Sequence, residues 1–201
     1  ARNVSRFDVM SARAHGEALM EWNVLRLGGD RSDVQPSTYL VGPGAQTEIW
    51  TASLGLAREA ITASGQAIHC APQTRSRIVN KSVSEGGLGP GNRSLVEILK
   101  GCRRASTHVE SEALLLRDET SADLSPRIQV DEPSAEVHQS TRSMKVDAQD
   151  LLNLQSRGLT REQALAMRVR GFLEPFTSRL PKEYAVEVHR WIELAMEGSV
   201  G

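Results

Sequence analysis

Large rings are scarce in this sequence. Three Trp, two Tyr and three Phe make up 4% of 201 residues. That disfavours a bulky globular centre and suits small, repeated side-chain layers. Cysteine is nearly absent too. Cys70 and Cys102 are too few for a disulfide framework and fit a reducing cytoplasm, with a single bridge left open. No apolar run approaches the length of a membrane span, which excludes a helical membrane anchor within these residues. No charged-then-apolar leader opens the chain, and Ala1 is not an initiator methionine, so the chain reads as processed or cut from something longer. The formal net charge of −1 supplies no global field for nucleic acid. The small basic cluster of Lys100, Arg103 and Arg104 has no aromatic neighbour for base stacking and reads as a solvated turn. Gly86 to Gly91 lacks the following Lys of a phosphate-cradling loop, and no G-x-S-x-G elbow accompanies the Ser, His and Asp residues. These absences leave ATP chemistry and triad hydrolysis without a motif.

What the chain does have is a helical end, residues 147–201. Asp147 can cap a helix carrying Leu151, Leu152 and Leu154, and Gly158 supplies its left-handed stop. Thr160 to Gln163 reads as a capping box that starts a second helix. Ala164, Leu165, Met167, Val169 and Phe172 continue its apolar stripe. Pro181 suits the first turn of a third helix, whose stripe is Tyr184, Val188, Trp191, Ile192 and Ala195.

Upstream, residues 1–146 show little helix. Short alternating runs recur at Val24–Leu27, Tyr39–Val41, Glu48–Thr51, Ala67–Cys70, Arg77–Val83, Ser94–Leu99, Val109–Leu116, Arg127–Val130 and Ala135–Gln139, with Gly, Pro, Ser and Asn between them. Ser84 to Asn92 reads as a Gly-rich loop. Two all-β architectures fit: a sandwich, or a solenoid stacking one rung on the next. The low aromatic content leans toward the solenoid, although no strict repeat motif is visible.

Four strings then resemble a known family. They are Leu19-Met20-Glu21-Trp22; Ala67 to Thr74 with Ile78 to Ser84; Leu151 to Phe172, centred on Gln155-Ser156-Arg157-Gly158-Leu159; and Glu183 to Glu187 with Met196 to Gly201. Their order and content are similar to the SufB/SufD family of iron–sulfur cluster assembly scaffold proteins, and most similar to the C-terminal part of SufB. The resemblance implies a mainly β fold: a parallel β-helix core, residues 1–146, followed by a small C-terminal α-helical domain, residues 147–201. It implies a cytoplasmic scaffold, not an enzyme. Its implied partners are a SufC-like ABC ATPase docked through the helices, centred on Gln155, Ser156, Arg157, Gly158 and Phe172, and a SufD-like or second SufB-like subunit. It implies neither a nucleic-acid nor a membrane partner. It also implies a transient iron–sulfur cluster in the assembled complex, whereas none is expected on the isolated chain, because two family positions read Ser111 and Ser140 and the thiols have no cluster spacing.

The chain departs from the family at two places. A family cysteine associated with cluster building falls on Ser111, and a family glutamate falls on Ser140. Serine is a poor iron ligand beside thiolate. Other donors of suitable type are Cys102, His108, Glu110 and His138, which only the stacking of rungs could bring together. They compete with a plainer reading, in which Cys102 is a turn residue and the histidines are solvated. Cys70 reads as a buried structural thiol, and His69 as a hydrogen-bonded structural imidazole. Two functions stay open: the assembly scaffold, and a stand-alone metal- or ligand-binding solenoid that has lost cluster assembly.

Overall fold

The structure, a computed structural model, describes residues 5–28, 31–55, 60–86, 91–117 and 120–198. In chain order the strands are β1 Ser5–Ala14, β2 Leu19–Leu27, β3 Arg31–Leu40, β4 Gln46–Gly55, β5 Ala60–Ala63, β6 Gln66–His69, β7 Arg75–Ser84, β8 Gly91–Asn92, β9 Leu95–Ile98, β10 Ser106–Leu115, β11 Asp123–Leu124, β12 Arg127–Val130 and β13 Glu136–Lys145. Three helices follow: α1 Ala148–Gln155, α2 Arg161–Thr177 and α3 Lys182–Gly198.

Every strand pairing is parallel, so the all-β alternative of an antiparallel sandwich is gone. The chain winds as a solenoid between two sheets. One has the order β11-β8-β5-β3-β6-β9-β12, with β1 also on β3; the other is β13-β10-β7-β4-β2. Gln46 pairs with Arg75, Arg75 with Ser106 and Ser106 with Glu136, so one turn takes about 30 residues. That period was hidden in the sequence, because most stacked positions differ in identity and no residue recurs at one position through every turn. Ile49, Ile78 and Val109 form one inward column. Gly42 lies at a corner where turns touch: a Cβ there would sit 2.0 Å from the Gly16 nitrogen.

A second inward column is polar. Thr51, Asn80 and Ser111 are in register and buried. The Thr51 hydroxyl donates to Asn80 Oδ1 at 2.7 Å. Asn80 Nδ2 donates to Ser94 Oγ at 2.8 Å and to Ser111 Oγ at 3.1 Å. A buried amide is tolerated only with its bonds made, and here each neighbouring turn supplies one.

The helical signals in the sequence hold in the structure. The Asp147 side chain accepts from Gln149 N, Thr160 and Gln163 form a reciprocal capping box, and Gly158 turns at φ +93°. Pro181 directly precedes α3, and its carbonyl accepts from Ala185 N. The helices cover the outer face of the second sheet. Leu165, Val169, Leu173 and Phe176 of α2 share one apolar cluster with Trp50, Ala52, Leu54, Val79, Val83 and Leu114 of the strands, and with Val188, Ile192 and Met196 of α3. The expected stripes need correction. Met167, Tyr184 and Trp191 are exposed, because the inner face of each helix is filled by the residues just named. β1 and the short β5, β8 and β11 went unread in the sequence, while residues 87–90 of the Gly-rich loop lie outside the described residues.

Asn80→Ala should strand the hydroxyls of Thr51, Ser94 and Ser111 in the interior. The expected loss is about 2–3 kcal/mol of unfolding free energy, read from urea titration of both forms. An unchanged midpoint would show that the column carries no stability.

Candidate functional site

On the outer face of the second sheet, beside the apolar patch that the helices cover, runs a column of polar side chains that the α2–α3 turn reaches at one end. Glu21, Glu48, Arg77, His108 and His138 stand in register, one on each strand. The pairing of β10 with β13 sets His108 opposite His138, with ring centroids 6.3 Å apart. Glu110 Oε2 lies 3.9 Å from His108 Nε2, and Glu110 is itself in register with Ser140. Stacking thus brings three of the four proposed metal donors onto one face. A groove of about 310 Å³ runs there, lined by Glu48, Arg77, His108, Glu136 and His138 among others.

Cys102 is not among them. It follows Gly101, whose φ of +92° folds the chain inward, and its thiol donates to the His69 carbonyl at 3.1 Å. Burial pushes the pKa of that thiol up, which keeps it protonated and apolar in behaviour. It is a turn residue, as the plainer reading had it, but one enclosed with Ile98, Ala105 and Val109. Cys70 corrects the expectation of a buried thiol: it is exposed. Ser111 and Ser140 lie on opposite faces of the sheet, Ser111 inside the polar column and Ser140 on the exposed surface of β13. No group of three or more His, Cys, Asp or Glu residues among the described residues is arranged to hold a metal ion.

His69 is fully enclosed. Thr74 Oγ1 lies 2.7 Å from Nδ1 and gives its own proton to the Ala71 carbonyl, so it accepts from Nδ1–H. Nε2 lies 2.9 Å from Ser76 Oγ, which is itself hydrogen-bonded to Thr107 Oγ1 at 2.7 Å. Both ring nitrogens are occupied, and burial lowers the pKa to about 4. The imidazole is structural, as its sequence context suggested.

The helical end offers a different kind of site. Gln155 closes α1, Ser156 caps it, and Arg157 and Gly158 form an exposed turn. Arg157 and the half-buried Phe172 border one cleft of about 700 Å³ between α1, α2 and the last rung. Lys81 lies over the Phe172 ring at 4.7 Å and pairs with Glu112, which fixes that wall of the cleft. Sequence reasoning missed the exposed apolar surface of α3, where Tyr184, Trp191 and Leu194 share one side. The spacing of seven between Tyr184 and Trp191 was visible, but it was assigned to the core. No described helix is long and apolar enough to cross a membrane.

The His69 site generates a pH prediction. Its folded pKa of about 4 lies below the unfolded value of 6.5, so the unfolded chain binds the proton more readily. Stability assigned to His69 is therefore whole above about pH 6.5 and falls as pH drops toward 4, by up to about 3 kcal/mol. His69→Gln should flatten that part of the stability profile measured by denaturant titration between pH 7 and pH 4. An identical slope in both forms would contradict the assignment.

Comparison with known proteins matches this arrangement. Residues 1–172 fit the family model described as SUF system FeS cluster assembly, SufBD core domain. An iron-sulfur cluster assembly SufBD family protein of Mycobacterium bovis is 35% identical over all 201 residues, which cover 24% of that relative. Its counterpart in Staphylococcus epidermidis is 34% identical over the whole chain, covering 43% of the relative, and one in Mycobacterium leprae is 34% identical, covering 23%. The chain thus spans less than half the length of these relatives. A parallel solenoid followed by three helices, a whole-chain identity of about one third and a family match over most of its length together place this chain in the SufBD family of iron–sulfur cluster assembly proteins.

Proposed function

We propose that this chain is a scaffold subunit of a SufBCD-type complex, docking an ABC-type ATPase through its C-terminal helices and pairing with a second solenoid subunit of SufD or SufB type. It works in the cytoplasm and is not itself an enzyme. The observation that carries the docking reading is the exposed turn at Arg157 beside the cleft bordered by Phe172. A tight turn between two capped helices presents its side chains at a fixed angle, and Arg157 can offer a planar fork to a partner carboxylate. Phe172 and the α3 residues Tyr184 and Trp191 add aromatic area of the kind that anchors interfaces.

Pairing with a second subunit is supported by β13. It is the outermost strand of its sheet, and nine of its ten residues are exposed. Its inward-facing residues Val137, Gln139, Thr141 and Ser143 have no further turn to cover them. An open, flat edge is a template for another strand.

Iron and sulfur are cargo in this reading. His108, Glu110 and His138 offer imidazole and carboxylate to iron on the outer face, while Cys102 is enclosed. A transient cluster therefore belongs to the assembled complex, and the isolated chain should hold none. The same observation favours one alternative: a stand-alone metal- or ligand-binding solenoid that keeps the fold without assembling clusters.

Calorimetric titration of the ATPase into wild type and Arg157→Glu separates these. The scaffold reading expects binding by wild type and a loss of about 1–3 kcal/mol in the variant, with helix content unchanged. Equal affinities would remove Arg157 from the interface. No binding by either folded form would favour the stand-alone solenoid.

A further inference from the structure

We propose that Arg179 is an electrostatic clasp that sets the angle of the helical end on the solenoid. Arg179 sits in the turn between α2 and α3, remote in sequence from what it holds. Its Nη2 lies 2.6 Å from Glu21 Oε1 on β2 and 2.7 Å from Glu48 Oε2 on β4. Glu21 and Glu48 are in register on adjacent strands, so without a cation two carboxylates would face one another across the ladder. One guanidinium satisfies both. It also lies over the Trp50 ring, with Cζ 4.6 Å from the centroid, and Arg77 lies over the same ring at 5.2 Å. The Trp50 indole N–H donates to Glu48 Oε2 at 3.2 Å, tying ring and carboxylate into one unit.

Besides the Lys81–Phe172 contact, the helices meet the sheet through the apolar cluster of α2, α3 and the strands. Apolar burial attracts without direction, so it holds the helices down but does not fix their rotation. Arg179 bridges two carboxylates from one nitrogen, Nη2, a charge-assisted and directional contact, and it engages the first two strands of the sheet while the Phe172 wall engages the later ones. Arg179 thus adds a directional tie to β2 and β4 beside the apolar contact that Trp50, Ala52 and Leu54 of β4 make with the helices. Because Arg179 is partly exposed, the clasp loosens as salt screens it.

Amide hydrogen exchange on the full chain tests this in four forms: wild type, Arg179→Lys, Arg179→Gln, and the triple variant Arg179→Gln/Glu21→Gln/Glu48→Gln. Arg179→Gln should raise exchange in residues 177–181 and in β2 by about tenfold or more, with Arg179→Lys intermediate. The amides around Ile192 should stay protected. The triple variant, which removes the facing carboxylates, should return the β2 amides to within about threefold of wild type. Emission from Trp50, in a background where Trp22 and Trp191 are Phe, should shift to longer wavelength in Arg179→Gln. Unchanged local exchange would overturn the clasp. So would a uniform rise across α2 and α3, or a triple variant no better than the single one, since either would mark Arg179 as a general stabiliser.

Discussion

Each inward side chain of this solenoid has the same position of the next turn as its nearest neighbour. Parallel, in-register stacking imposes that, and most other features follow from it. Apolar columns must be built of similar sizes, as Ile49, Ile78 and Val109 are. A polar group can enter only where the turns beside it complete its bonds, as Thr51 and Ser111 do for Asn80. The same rule stacks the outer surface, where it sets Glu21 on Glu48 and His108 opposite His138. One stacked pair became a point of attachment for the helices, and the other became a candidate metal surface.

The helical end was the most legible part of the sequence. Capping by Asp147 and Thr160 and the stop at Gly158 depend on local backbone chemistry, and they appear where the residues stand. The solenoid was legible as strands but not as a repeat. Thr51, Asn80 and Ser111 fill equivalent positions with three different residues, so identity conceals the period that packing enforces. The Cys70 thiol was misjudged for a related reason. Ala67 and His69 point inward, so the alternation turns Ile68 and Cys70 out, with an apolar residue on the outer side and a histidine on the inner. Hydropathy alone reverses that face. Cys102 entered the core through the left-handed turn at Gly101, which only the folded geometry reveals.

The candidate donors were partly legible. His108, Glu110 and His138 needed rung stacking to meet, and stacking brings them onto one face. It also separates Ser111 from Ser140 across the sheet, so the two departures from the family do not lie in one site of this chain. The described residues hold no three-donor metal group, and β13 leaves the solenoid open at the end nearest His138.

The central claim is that cluster building belongs to the assembly and not to this chain alone. Anaerobic reconstitution with ferrous iron and sulfide, followed by the visible absorption spectrum after desalting, tests it directly. The account predicts no retained cluster absorption on the isolated chain, and its appearance once the ATPase and a second solenoid subunit are added. A stable cluster spectrum on the isolated chain, lost on Cys102→Ala, would contradict it.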